Sequence, residues 1–351
     1  MKSKIVNLSS VIAAGCRFLL PCAMSCICGK AMSQVIADVH SHNVLPSYIA
    51  FVGSHGALLE EGFPIPSWSA ERHIEMMDRE GIAWSVLTMP APQPFFGDAA
   101  ESRAIVRRYN EETAAVKSTY PDRFKFCATL PLPDVKGAIA EAVYALDTLH
   151  ADGVKLATNS RGMYLGDAAL DPLMKVLDER HAVVIIHPHK PTPFNDSLMM
   201  QTPLAAYEYP AETTRAVVNM ISRNVPSRYP HIRFVVPHCG SFVPLAVPRM
   251  KNIVEVMRRS GIDKNIDWKG NMGNLYYDLA GGASADVLRM LLTVTSPSHL
   301  LFGSDYPYVS ADGVHGVIAG LKSTLAAMPE LSHLSDSVFA GNAARLFEKG
   351  K

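Results

Sequence analysis

Eight short apolar runs, rich in Val, Ile and Leu, recur between residues 35 and 302, with amphipathic stretches between them. They are Val35–Val39, Trp84–Met89, Lys125–Leu130, Gly153–Ala157, Ala182–Ile186, Ile232–Pro237, Leu275–Leu279 and His299–Phe302. Most do not alternate strictly between polar and apolar residues, so they read as strands buried on both faces of a parallel sheet. Helix signals fill the gaps. Ala70–Gly81 opens after Ser69 and stops on a glycine, and Glu101–Tyr120 precedes Pro121. Val135–His150, Asp171–Arg180, Ala211–Tyr229, Pro244–Arg259, Ser284–Thr295 and Gly313–Ala327 follow, with Ala340–Lys351 as a closing helix. Such alternation implies right-handed strand–helix–strand units. Eight of them predict a closed (β/α)8 TIM barrel rather than an open doubly wound sheet.

Two connections are long: Asn43–Ser69 after the first strand and Pro188–Pro210 after the fifth. Loops of that length in a compact domain are often functional, and in a barrel the loops after the strands surround the active site. The chain of 351 residues is 48% hydrophobic and carries no formal net charge. That supplies a large core and favours neither nucleic acid nor an anionic membrane as partner; a neutral enzyme acting on a small molecule fits better. No segment approaches the roughly 20 apolar residues of a membrane helix.

Residues 1–31 stand apart. They hold four of the six cysteines, basic residues at Lys2, Lys4 and Arg17, and a small-x-small stretch at Gly29-Lys30-Ala31. They read either as an export signal or as an extension before a true start at Met32. The barrel is assigned to residues 32–351, as a cytoplasmic enzyme unless the leader exports it. The remaining cysteines, Cys127 and Cys239, lie in apolar runs and read as buried core residues, not a disulfide framework.

The chemistry lies at strand ends. In Asp38-Val39-His40-Ser41-His42 the two histidines are two apart, so a strand points both to one side. His187 ends the fifth strand, His238 the sixth, and Asp305 follows the eighth. A lone histidine after a strand is usually a hydrogen-bonded rim residue. Four strand C-termini bearing such residues are different, because a barrel gathers those ends at one mouth. Three imidazoles and a carboxylate suit Zn2+ and also accept Mn2+ or Fe2+.

This pattern resembles the amidohydrolase superfamily. The stretches VHSHNVLP, VIIHPHKP, VVPHCGSFVP and LFGSDYP resemble its decarboxylase branch, typified by aminocarboxymuconate-semialdehyde decarboxylase, from about residue 35 to the C-terminus. IPSWSAERHIEMMDREGI, TLPLPDVKGAIAEAVYALD, DGVKLATNSRGMYLGD and YPAETTRAVVNMI look most like the 6-methylsalicylate decarboxylases. The resemblance implies that His40, His42, His187 and Asp305 hold the metal and that His238 is catalytic. It also implies a homodimer in which Arg249 reaches a neighbouring subunit's substrate carboxylate. One departure concerns the long loop after the first strand. Where the semialdehyde enzyme has a substrate-binding arginine, this chain has no arginine and the matching position lies near Glu61. That moves the expected substrate from a dicarboxylate to a monocarboxylic phenol.

The expected reaction is non-oxidative decarboxylation of a salicylate-like or enol carboxylic acid, with Asp305 as general acid. Asn159 and Arg161, after the fourth strand, are candidate substrate contacts. Phe95, Phe96, Tyr207 and Phe242 are candidates for an apolar pocket wall. Lys155 sits where binuclear amidohydrolases carry a carboxylated lysine, but its place inside the strand reads as a barrel-interior lysine. His189 reads as a loop-rim histidine. Two alternatives stay open: a lactonase or amidase using the same metal, and an inactive barrel that binds a metal or metabolite.

Overall fold

The computed structural model describes residues 34–195 and 202–348. The leader call lies outside those residues, as does part of the second long loop. Eight strands form one sheet in chain order: β1 Ile36–His42, β2 Ile82–Thr88, β3 Phe124–Thr129, β4 Gly153–Ala157, β5 Val183–His187, β6 Arg233–Val236, β7 Leu275–Asp278 and β8 Leu300–Leu301. Every neighbouring pair is parallel. The ring closes where Val39 N–H donates to Phe302 O at 3.0 Å and His42 N–H to Tyr306 O at 2.8 Å. The fold is the (β/α)8 barrel that the alternation predicts.

Burial on both faces explains the unbroken apolar runs. On β5, Val183 and Ile185 belong to a cluster with Ala37, Val86, Cys127, Val235 and Leu301, drawn from six strands. Their neighbours Val184 and Ile186 pack into the larger core that includes the helices. Gly153 is required by close approach, since a Cβ there would lie 2.4 Å from the Val183 carbonyl oxygen. The predicted closing helix is shorter than expected. A π-turn, Ser337–Gly341, precedes the C-terminal helix Asn342–Phe347, whose Ala343, Leu346 and Phe347 pack on the β5-containing cluster.

The helices in chain order begin with α1 Pro46–Ser54, α2 Ala70–Glu80, α3 Ala99–Thr119, α4 Val135–Asp147 and α5 Asp171–Glu179. Ser69 caps α2 by accepting from Arg72 N–H, and Gly81 ends it at φ 74°, as the sequence predicts. Helix α1 falls inside the first long loop. Nine residues are too few for intrinsic stability, and it holds through packing. Tyr48 and Val52 are buried, and the Tyr48 hydroxyl donates to Pro92 O at 2.9 Å.

Helix α6, Leu204–Ser222, starts seven residues before the predicted Ala211 and carries Pro210 within it. The predicted helix through Tyr229 instead breaks at Asn224, which takes φ 55°, before the short α7 Val225–Arg228. Next come α8 Val243–Arg259, α9 Trp268–Gly273, α10 Ala285–Leu291 and α11 Ala311–Ala327. Helix α9 carries no clear apolar period and is unanticipated, and α10 stops short of the predicted Thr295.

Candidate active site

Strand β1 extends three residues beyond its predicted end, so the His40–His42 pair lies within the sheet. The β1–β2 register shifts between Asp38 and Ser41. The two imidazoles stand with ring centroids 5.3 Å apart. His187, the last residue of β5, brings its ring within 4.7 Å of His42 and 5.4 Å of His40. Asp305 follows β8 with φ 60°, and its N–H donates to His40 O at 2.8 Å. Its Oδ1 lies 3.3 Å from His42 Nε2 and 3.5 Å from His40 Nε2. One ligand atom from each of His40, His42, His187 and Asp305 falls within 4.8 Å of all the others.

The tautomers follow from the partners. His40 Nδ1 meets Asp278 Oδ2 at 2.9 Å and must donate to that carboxylate. His42 Nδ1 lies 2.9 Å from Thr88 Oγ1, whose own hydrogen goes to Ser41 O, so the imidazole is the donor. His187 Nδ1 donates to Pro188 O at 2.9 Å. Each Nδ1–H is therefore engaged, which leaves Nε2 as the atom of each ring available to a cation. The Nε2 atoms of His40 and His42 are buried without a hydrogen-bond partner. Buried unpaired nitrogens are costly in a native fold unless another group satisfies them. A carboxylate or carbonyl behind each imidazole is the usual support of a metal-ligating histidine, and the donor set fits a divalent cation.

Burial opposes charge throughout the cluster. It holds His187 well below the ordinary histidine range and lowers His42. At His40 burial is outweighed by Asp278, Asp305 and Asp38, which push the pKa up to about 9. Burial also works against the Asp305 anion, yet His238, His42 and His40 keep its carboxyl well below the usual range. His238 stands beside the set, its ring 5.0 Å from that of His40 and its Nε2 3.9 Å from Asp305 Oδ2. Its φ of 54° is unusual for a residue with a Cβ. The backbone is pinned by His238 N–H donating to Asp278 Oδ1 at 3.0 Å.

The cluster opens on a cavity of about 640 Å³. His187, His238 and Asp305 line it together with Leu58, Phe63, Phe242, Tyr209 and Tyr308. Of the predicted aromatic wall, Phe242 lines this cavity, whereas Phe95, Phe96 and Tyr207 do not. Phe96 instead stacks on His55 with centroids 4.5 Å apart. The predicted substrate contacts also fall elsewhere. Asn159 donates to Lys190 O and Glu212 Oε2, and Arg161 donates to Phe95 O. Arg249 lies exposed on α8, outside the cavity of its own chain. Lys155 is 1% exposed, and burial lowers its pKa to about 7. His189 is buried rather than on the rim, with Nε2 3.2 Å from Glu61 Oε1.

Sequence reasoning missed Asp278 and Thr88. Asp278 was within reach of the same rule, because it ends β7 on the side where the other strands end in histidine. Nothing near Thr88 in sequence marks it as a partner of His42, 46 residues away.

The sequence profile described as Amidohydrolase matches residues 37–349. The decarboxylase yanB of Aspergillus niger is 31% identical over 79% of this chain and 78% of its own. The 6-methylsalicylic acid decarboxylase of Penicillium expansum is 30% identical over 90% and 96%. A crystal structure of an amidohydrolase II protein superposes with a TM-score of 0.81 at 30% identity, covering 89% of this chain and 99% of that one. A dihydroxybenzoic acid decarboxylase from Polaromonas, crystallised with bound manganese, shares the fold at a TM-score of 0.70 and 18% identity, over 90% and 97%. With strand-end histidines and aspartate converging at the barrel mouth and the family's profile spanning the barrel, this chain belongs to the amidohydrolase family, alongside the 6-methylsalicylic acid decarboxylases.

Proposed function

We propose that the protein is a metal-dependent carboxy-lyase that removes CO2, without oxidation, from a small salicylate-like aromatic acid. The observation that carries this reading is the convergence of three imidazole Nε2 atoms and the Asp305 carboxylate beside a largely apolar cavity that His187 and Asp305 line. Relatives that share about 30% identity over most of the chain are named decarboxylases, which supports the reaction class. His40, His42, His187 and Asp305 would hold the cation, zinc or manganese; manganese occupies the dihydroxybenzoic acid decarboxylase. When bound, the ion supplies a positive charge that orients the substrate's carboxylate and ortho-hydroxyl oxygens and polarises the ring.

The chain's own residues move the proton. Asp305 is an anion at neutral pH and accepts the ortho-hydroxyl proton as substrate binds. It then returns that proton to the ring carbon bearing the carboxylate. The carbon–carbon bond breaks, its electron pair stays with the ring, and CO2 leaves. His238, 3.9 Å from Asp305, steadies the hydroxyl oxygen as its proton departs. Apolar walls exclude water and favour the loss of charge. Arg249 is exposed and available to a second copy, so the same reading includes a homodimer.

The decisive experiment combines metal analysis with a panel of salicylates followed by ultraviolet absorbance and CO2 release. The wild type is expected to hold a divalent ion and release CO2. Asp305→Asn is expected to lose about 10²–10⁴-fold in rate, and His187→Ala to lose the ion. Hydrolysis or ring opening without CO2, or turnover indifferent to chelation, would sink the proposal.

A further inference from the structure

We propose that Glu61 is the residue that sets the charge selectivity of the cavity, rejecting substrates with a second anionic group. This rests on the carboxy-lyase reading for the identity of the substrate but not for the test. Glu61 lies between α1 and α2, lines the cavity, and is 5% exposed. Its carboxylate is held from two directions on the other long loop and α6. Oε2 accepts from Lys190 N–H at 2.9 Å and from the Tyr209 hydroxyl at 2.9 Å. Oε1 is buried, forms no hydrogen bond of good geometry, and faces His189 Nε2 at 3.2 Å. The group is thus fixed in place and cannot swing into solvent when a ligand arrives.

No lysine or arginine is among the described residues that line this cavity. Among the described residues that line it, Glu61 and Asp305 are the two carboxylates. One carboxylate of a ligand can be directed to the histidine cluster. A second carboxylate finds no cation among the lining residues of its own chain, meets a fixed like charge, and loses its hydration against Phe63, Ile65 and Val309. A neutral or apolar ring substituent meets none of these penalties.

The test compares salicylate with 2-hydroxyterephthalate, which adds a second carboxylate to the same ring. Dissociation constants are measured by calorimetry on manganese-loaded wild type, Glu61→Gln and Glu61→Asp, and CO2 release is followed separately. Glutamine retains a carbonyl oxygen for Lys190 N–H and Tyr209 while removing the charge. The preference for salicylate is expected to fall at least tenfold in Glu61→Gln and to persist in Glu61→Asp. A preference unchanged within twofold in Glu61→Gln overturns the proposal, as does failure of the wild type to prefer salicylate. If wild type binds salicylate selectively but releases no CO2, the carboxy-lyase reading fails while the Glu61 comparison still stands.

Discussion

Asp278 does more at the site than its absence from the mouth's lining suggests. One oxygen takes the His40 Nδ1 hydrogen and the other takes the backbone N–H groups of His238 and Ala280, so one carboxylate orients a ring and a loop. Asp278→Ala is expected to weaken metal affinity about 10–100-fold, measured by competition with a chelator, and Asp278→Asn less, because an acceptor remains. His73 offers a separate, pH-dependent test. It is buried on α2, where Trp68 Nε1–H donates to its Nδ1 at 3.0 Å. Burial first, then Arg123 and His42, depress its pKa from 6.5 to about 3. The folded chain therefore keeps His73 neutral while the unfolded chain protonates it below 6.5, so its contribution to stability is lost as pH falls from 6.5 toward 3. Between pH 7 and pH 5 this amounts to about 2 kcal/mol. Urea unfolding of His73→Gln, which still offers Trp68 an acceptor, is expected to show a weaker loss over that interval. The five site residues were readable because each sits at a strand end, a local property. Asp278 carried the same signal but lacked the histidine that draws the eye, and Thr88 carried none.

At the scale of elements, the Ser69 cap was legible, whereas the Asp98 cap and the loop structure were not. Asp98 accepts from Ala100 N–H at 2.7 Å and Glu101 N–H at 3.0 Å, starting α3 at Ala99, two residues before its predicted first residue. Asp98→Ala is expected to lower stability by about 1 kcal/mol, seen as a lower urea midpoint with an unchanged slope. Helix α1 escaped notice because its Tyr48 packs on Tyr109 and donates to the Pro92 carbonyl, contacts that no local period encodes. Pro210 marked a helix boundary in sequence but stands inside α6, where tertiary packing overrides its cost. The real break, at Asn224, uses a residue that tolerates the left-handed backbone better than most.

For the whole molecule, closure of the ring brings β1 and the segment after β8 into one site, although His40 and Asp305 are 265 residues apart. Among the described residues no helix is long and apolar enough to cross a membrane. The first described residue, Gln34, already bonds Ser335 and Asp336 near the C-terminus. A chain beginning at Met32 is expected to keep the thermal midpoint, metal content and turnover of the full chain. A lower midpoint or lost metal would show that residues 1–31 contribute to the barrel. The amino-acid sequence alone determined the eight-fold alternation, the burial of strands on both faces and the chemistry at their ends, because periodicity and strand position are local. Only the tertiary structure decided which partner engages each Nδ1, that Arg161 and Asn159 are occupied away from the cavity, and that Glu61 meets His189 and Tyr209. Those pairings depend on which side chains the closed ring and its two long loops bring within hydrogen-bond distance, and a distance in space is not written in any run of neighbouring residues.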